Sequence, residues 1–466
     1  MSARATGTAP PTAWPFGHFR AFRRDPLGFL AACARDHGDA VNLRFGPRQV
    51  LLLSDPQLIA EVLVARHRSF RKHFALRLAR PALGDGLLLS EGAAWLSRRQ
   101  LMQPAFRAER LGAYAALMAG HAGALVAGWR DGGTIDLHRE LMGLTARIVT
   151  HCLFGSAIAG RGDDAHAAMA ILTDSFKARL DQVLRLPLFL PTPANLRFRR
   201  GMAHLGALIG GIISARRAGA PHPDLLQALL DARGPEGGPG LDDRQLRDEL
   251  VTLFVAGHET TANALSWTQW LLAAHPQQQE RLEDELDRVL GGRPPGALDV
   301  PLLPYCAQVI DEAMRLMPPA WVIGREALSD IDLGPCTVRR GTTVLMSQWV
   351  VHRDARWFAD PAAFRPERWA DGLAARLPAF AYFPFGGGPR HCIGAGFARM
   401  EMVLLLATMA ARHRLALAPG AAVEAVPTIT LRPRHGLPMI VRARPPRPQA
   451  AAGPARARPD AGPAGG

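Results

Sequence analysis

The longest periodic run in the chain, residues 241–275 (LDDRQLRDELVTLFVAGHETTANALSWTQWLLAAH), reads as one helix and commits the molecule to a mainly helical plan. Helical patterns dominate from about residue 92 to 330, with breaks at Asp131-Gly132-Gly133, at Pro191-Thr192-Pro193 and in the loop 233–240. Upstream, Asp25-Pro26 opens a helix that stops at Gly38, and two β-like runs flank Gly46-Pro47 as a hairpin. Asp55-Pro56 starts the next helix, with proline at an early position. Short β-rich pieces return at 331–346 and 421–442. The expected fold class is mainly α with a minor β region. No Pro/Gly linker forces a split, so residues 19–442 read as a single domain. Residues 1–18 form an irregular Pro-rich N-terminus, and 443–466 a Pro/Ala/Gly/Arg-rich tail whose composition predicts disorder.

Composition narrows the classes. Of 466 residues, 48% are hydrophobic and 21% charged, which excludes wholesale disorder and lets a core form without disulfide or metal staples. No stretch of about 18 consecutive apolar residues occurs, so no membrane anchor is expected. Arg4 is not followed by an apolar segment, so the N-terminus does not read as a secretory signal. The five cysteines, Cys33, Cys152, Cys306, Cys336 and Cys392, are odd in number, widely spaced and free of CxxC. That pattern argues against a disulfide framework or a zinc site and fits a reducing cytoplasm. The net charge of +14 rests on arginine, since Lys72 and Lys177 are the only lysines. It reflects either a GC-rich coding sequence or a basic surface for an acidic partner protein. The basic residues are scattered rather than clustered with aromatics, which argues against nucleic acid.

Two segments carry chemistry. The first is Phe385-Gly386-Gly387-Gly388-Pro389-Arg390-His391-Cys392-Ile393-Gly394, followed by a helical run of about 20 residues. Cys392 thus stands at or just before a helix N-terminus, where free N–H groups and the macrodipole favour a thiolate. The glycines let backbone pass close to something large and flat. Arg390 is placed to pair with a carboxylate of a bound ligand. A phosphate loop needs GK[ST], which does not follow, and Arg399 stands where a dinucleotide fingerprint needs its third glycine. A Cys392–His391 catalytic pair has poor geometry for proton transfer. A structural Gly-rich loop with a buried cysteine remains the plain alternative.

The second segment is the centre of the long helix, Ala256-Gly257-His258-Glu259-Thr260-Thr261. Gly257 there costs up to about 1 kcal/mol relative to alanine, which suggests a need for close approach. Thr260 is able to bond back to a carbonyl and open the ladder locally, making room for a ligand or a water. Ala262 removes the second histidine of a HExxH zinc motif, so His258 faces protein or solvent. A buried helix with a polar notch is the plain alternative.

Together these residues closely resemble the cytochrome P450 superfamily. Its loop pattern FGxGxRxCxG is matched at all six fixed positions, and its distal motif [AG]Gx[DE]T[TS] throughout. The resemblance implies a cytochrome P450 fold with haem between a long distal helix and the Cys-loop helix. It implies haem b (iron protoporphyrin IX) held by Cys392 as axial thiolate, in a pocket formed by Phe385, Gly386, Gly388, Gly394, Ala256 and Gly257. Arg390, Trp95, Arg99 and Arg325 would serve the propionates, and Glu259 and Thr260 would be the catalytic pair delivering protons during dioxygen activation. An axial thiolate favours O–O cleavage. The family's ExxR helix and later PER segment correspond to Glu312, Arg315 and Arg368, a structural ion-pair cluster. By position in the family order, the substrate pocket includes Phe74, Leu87, Leu88, Phe176, Leu188, Phe189, Phe254, Val255, Trp321, Val322, Ile323 and Ile429, an apolar lining for a terpenoid, fatty acid or other secondary metabolite. The implied activity is a monooxygenase that hydroxylates or epoxidises a hydrophobic small molecule with dioxygen. No flavin or iron–sulfur module follows residue 442, so electrons would pass from NAD(P)H through a reductase and a ferredoxin or flavodoxin. The chain reads as a soluble, bacterial-type, cytoplasmic monomer. A haem-thiolate enzyme that uses peroxide, or that isomerises or dehydrates without dioxygen, and a haem-based binder or sensor are the competing functions.

Overall fold

In a computed structural model, residues 9–12, 16–155, 190–222, 224–234, 238–334 and 336–444 are described. Nine helices of eight residues or more lie among them: α1 (Pro26–His37), α2 (Gly92–Met102), α3 (Ala115–Ala127), α4 (Leu137–Phe154), α5 (Pro193–Ala218), α6 (Asp243–Ala274), α7 (Pro276–Leu290), α8 (Pro304–Leu316) and α9 (Ala395–Arg412). Their ends obey local chemistry. Asp25 accepts the Gly28 N–H to cap α1, which stops at Gly38. A capping box opens α6, with the Asp242 carboxylate taking the Gln245 N–H at 2.7 Å and Gln245 taking the Asp242 N–H at 3.0 Å. Pro276 then ends α6 and begins α7. At about 1.5 Å per residue the 32 residues of α6 span about 48 Å, so this helix crosses the molecule.

The β region is built from β1 (Ala40–Phe45), β2 (Arg48–Leu53), β3 (Phe70–Lys72), β4 (Thr134–Asp136), β5 (Ile323–Ala327), β6 (Ile331–Asp332), β7 (Thr337–Val338), β8 (Thr343–Met346), β9 (His413–Leu417), β10 (Ala425–Pro427), β11 (Leu431–Pro433) and β12 (Pro438–Ala443). The largest sheet has the order β1-β2-β8-β5-β3. Its β1–β2 hairpin turns at Gly46, which adopts φ +59°. Strand β2 alternates as a two-sided strand must. Val50 and Leu52 join the main helical core, while Leu51 and Leu53 join a second core with Phe70, Val344, Met346 and Phe383. Strands β4, β12 and β9 form a smaller sheet, and β10 pairs with β11 in a hairpin that reaches the centre of α6. The β9 strand begins where the sequence pattern still reads as helix, and β4 was not anticipated.

Cys33, Cys152 and Cys306 are buried and Cys336 is half-buried, all as free thiols. No helix among the described residues is long and apolar enough to cross a membrane.

Candidate active site

The Cys392 loop is shaped by two left-handed glycines, Gly386 at φ +70° and Gly388 at φ +65°. A Cβ on Gly388 would stand 2.1 Å from the Leu63 carbonyl oxygen, so no other residue fits there. The loop closes when the Cys392 N–H donates to the Phe385 carbonyl at 3.0 Å. Helix α9 begins three residues later, with Phe106 and Leu111 against Gly394 and Gly396. Cys392 is accessible to solvent. Protein packed on its other sides nevertheless pushes its thiol up; the Gly394 backbone and the Arg99 charge offset this only in part. A coordinated metal would take the thiol proton's place.

Helix α6 offers an accessible face at its centre. Ala256 is exposed and Thr260 half-buried, although most neighbouring residues of the helix are buried. Thr260 Oγ1 donates to the Ala256 carbonyl at 2.7 Å, and the helix continues unbroken past it. Gly257 faces α4, where an added Cβ would stand 3.1 Å from Val149 Cγ2, so its smallness serves helix packing. His258 is buried, with its Nδ1 2.8 Å from the Phe254 carbonyl. Glu259 is held from across the fold: Thr430 Oγ1 donates to its Oε1 at 2.5 Å.

Beside the loop lies a cluster of cations. Arg390 donates to the Ser90 carbonyl at 2.9 Å, pairs with Glu91 and stacks 4.4 Å over the Trp95 ring. Arg99 donates to the His391 carbonyl at 2.8 Å. Strand pairing sets Lys72 opposite Arg325, both buried. Burial, then repulsion from Arg390, pushes Arg325 down to about 10. Burial, then Arg325 and Arg390, drives Lys72 well below its usual range. Burial, then Arg325 and Lys72, takes His73 down to about 4. Glu91 is the one carboxylate among these groups, because Glu326 is taken by Arg71 and Arg77. Desolvated like charges of this kind need anionic company. The cluster fits a ligand carrying two carboxylates, and the thiol fits a sulfur-binding metal. Sequence reading missed Lys72, His73 and Glu91, whose meeting depends on β3–β5 pairing across some 250 residues of chain.

The loop is supported from below by the Glu312 cluster. Arg315 binds Glu312 through two hydrogen bonds of 2.9 and 2.8 Å, and Arg368 adds a third of 2.8 Å. Trp369 Nε1 adds a fourth at 2.9 Å and the Arg365 N–H a fifth at 3.0 Å. Arg315 also donates to the His352 carbonyl, while His352 Nε2 accepts the Phe383 N–H at 3.0 Å. Burial, reinforced by Arg315, keeps His352 neutral and so able to accept. The ion pairs thereby reach the residue two positions before Phe385.

Glu401, on α9, is fully buried, and the Thr261 hydroxyl is its polar neighbour. Burial pushes it to about 8, against the Thr261 hydroxyl, which pulls the other way. An unfolded glutamate ionises near 4.5, so this raised group contributes stability that is complete below that pH and lost as pH rises towards 8. Glu401→Gln should therefore match the wild type at pH 5 and exceed it at pH 9 by about 2–5 kcal/mol in denaturant unfolding. An equal difference at both pH values would refute the neutral acid.

The expected pocket residues divide. Phe254 belongs to the core: it lies two residues, about 200°, from Ala256 on α6 and packs on His258 with ring centroids 4.7 Å apart. Leu87 and Trp321 are likewise core, the latter donating to the Thr428 carbonyl at 3.0 Å. Phe74, Leu88, Val255, Val322 and Ile323 are half-buried, and Ile429 is 43% exposed. Phe176, Leu188 and Phe189 lie outside the described residues.

A thiol loop, a helix with an accessible polar centre and a carboxylate-seeking cation cluster define a haem-thiolate class of protein. The family profile described as Cytochrome P450 matches residues 8–437, and the chain belongs to that family. It is therefore an oxygen-incorporating oxidoreductase, and its family implies haem. It is 39% identical over 417 residues to cyclooctat-9-en-7-ol 5-monooxygenase of Streptomyces melanosporofaciens, covering 89% of this chain and 90% of that one. Pentalenene oxygenase of Streptomyces avermitilis is 36% identical over 447 residues, covering 94% and 98%. Among solved structures, the cytochrome P450DA heme domain superposes with TM-score 0.86 at 27% identity, covering 96% of this chain and 99% of that one. Retinoic acid-bound cyanobacterial CYP120A1 superposes with TM-score 0.83 at 27% identity, covering 94% and 100%.

Proposed function

We propose that this cytochrome P450 hydroxylates or epoxidises a cyclic terpenoid, with electrons delivered from NAD(P)H by separate redox proteins. The observation that carries the substrate class is the similarity, along most of the chain, to the two Streptomyces oxygenases named for terpenoid substrates. The half-buried Val255, Val322 and Ile323 and the exposed Ile429 supply an apolar complement.

Haem, when bound, supplies dioxygen activation and the oxidising power. Cys392 would hold its metal, and Arg390, Arg99, Trp95, Arg325 and Lys72 would receive its carboxylates. Phe385, Gly386, Gly388 and Gly394 shape the loop that would carry it, and Ala256 would leave room for it on the α6 side. Glu259 holds a proton source near Thr260, whose hydroxyl is fixed by the Ala256 carbonyl and passes protons toward the reacting oxygen. The chain works as a soluble cytoplasmic monomer. Exposed Arg107 and Arg110 lie between Phe106 and Leu111, the residues that pack on Gly394 and Gly396, and they suit an acidic ferredoxin or flavodoxin.

The test is a spin-shift titration of the purified haem-loaded protein with cyclic terpene alcohols, fatty acids and polyketides. A shift with the terpenoids and with neither other class is expected. A shift only with fatty acids would remove the terpenoid assignment. Reduction by an acidic ferredoxin should slow as salt rises; a salt-independent rate would remove the docking face.

A further inference from the structure

We infer that Thr430 is a positioning residue for Glu259, and that the Thr428–Leu431 turn ties this carboxylate to the substrate side of the site. The inference rests on the proton-delivery reading of Glu259 given above.

The hydrogen bonding assigns the Thr430 hydroxyl a single orientation. Asn263 Nδ2 donates to Thr430 Oγ1 at 3.1 Å, and Thr430 Oγ1 stands 2.5 Å from Glu259 Oε1. A hydroxyl has one proton to give, and with Asn263 Nδ2 already donating to Thr430 Oγ1 that proton is directed to the Glu259 oxygen. The pair sits where such a bond is strong, since Thr430 is buried and Asn263 fully so. Asn263 Oδ1 is buried and accepts no hydrogen bond among the described residues. It offers a water an acceptor beside the Thr430–Glu259 pair, the kind of bridge a proton needs on its way in.

The turn is also clamped. The Thr428 carbonyl accepts from Trp321 Nε1 at 3.0 Å, and Thr428 Oγ1 donates to the Thr430 carbonyl at 2.9 Å. The Leu431 N–H donates to the Pro319 carbonyl at 2.9 Å, and the Leu431 carbonyl accepts from Trp267 Nε1 at 2.9 Å. The turn is thus fastened both to α6 and to the Pro319–Trp321 segment. Two consecutive residues differ in outlook: Ile429 is 43% exposed and Thr430 is 6% exposed. A substrate pressing on Ile429 bears on the same short backbone that sets the Thr430–Glu259 bond.

The experiment uses the haem-loaded enzyme with its redox proteins and the terpene alcohol that gives the largest spin shift. Thr430→Val, Thr430→Ala, Thr430→Ser, Glu259→Gln and Thr430→Val/Glu259→Gln are compared. Three quantities are read: product formed per NAD(P)H, the solvent deuterium isotope effect, and the carboxylate stretching bands in infrared difference spectra. Thr430→Val and Thr430→Ala should lower coupling about 5-fold, the scale of one hydrogen bond, and raise the isotope effect. Thr430→Ser should restore both to within about twofold. The infrared difference between Thr430→Val and wild type should vanish in the Glu259→Gln background, and the double variant should be no worse coupled than Glu259→Gln alone. Coupling retained in Thr430→Val while Glu259→Gln uncouples would overturn the role of Thr430 only. Additive losses in the double variant would reduce it to packing. Tight coupling in Glu259→Gln would overturn the proton-delivery reading and this inference with it.

Discussion

Changing Cys392 to serine should abolish turnover while leaving the fold almost untouched. The substitution exchanges one sulfur for one oxygen on the same short side chain, so its effect on packing is small. The loop around it is held by groups other than sulfur: the left-handed Gly386 and Gly388, the Cys392 N–H on the Phe385 carbonyl, and Phe383 on His352. Oxygenation should nevertheless fall by more than about 100-fold, the loss seen when even the outer supports of a metal site are removed. The check is spectroscopic and independent of substrate. The carbon monoxide adduct of the reduced holoprotein should show the long-wavelength Soret band of sulfur ligation in the wild type and lose it in Cys392→Ser. A variant that keeps the band would dismiss Cys392 as the ligand.

Replacing Glu312 by glutamine should be among the most destabilising single changes in the chain. Glu312 and Arg315 are both wholly buried, and Arg368 is nearly so. Glu312 accepts from Arg315, Arg368, Trp369 and the Arg365 backbone. Neutralising it leaves two guanidinium groups without a counter-charge in a dry interior, which costs about 3–5 kcal/mol. Denaturant unfolding followed by both circular dichroism and Soret absorbance should show the loss. The Soret change should come at lower denaturant than the helical signal, because the cluster supports the loop through His352 and Phe383. A loss below about 1 kcal/mol would mean that the charges are solvated.

Local chemistry made much of this legible in sequence. Gly46 needed its left-handed turn, Pro276 had to end α6, and Glu312 and Arg315 are neighbours at i, i+3 on any helix. The joining of Arg368 to them, more than fifty residues on, could be expected only through family resemblance. What stayed hidden depends on tertiary placement. Lys72 reads as an ordinary surface lysine until β3 lies beside β5 and buries it against Arg325. Thr430 is one of several threonines until β11 is brought to α6. Phe254 looked like pocket lining because it is close in sequence to Ala256, although two helical steps turn it to the opposite side.

The β10–β11 hairpin carries a constraint on how this scaffold can diversify. Ile429 and Thr430 share one peptide unit, so remodelling the hairpin to admit a bulkier guest also disturbs the neighbour of Glu259. If Thr430 sets Glu259 as proposed, a change of guest at Ile429 would alter substrate range and coupling together.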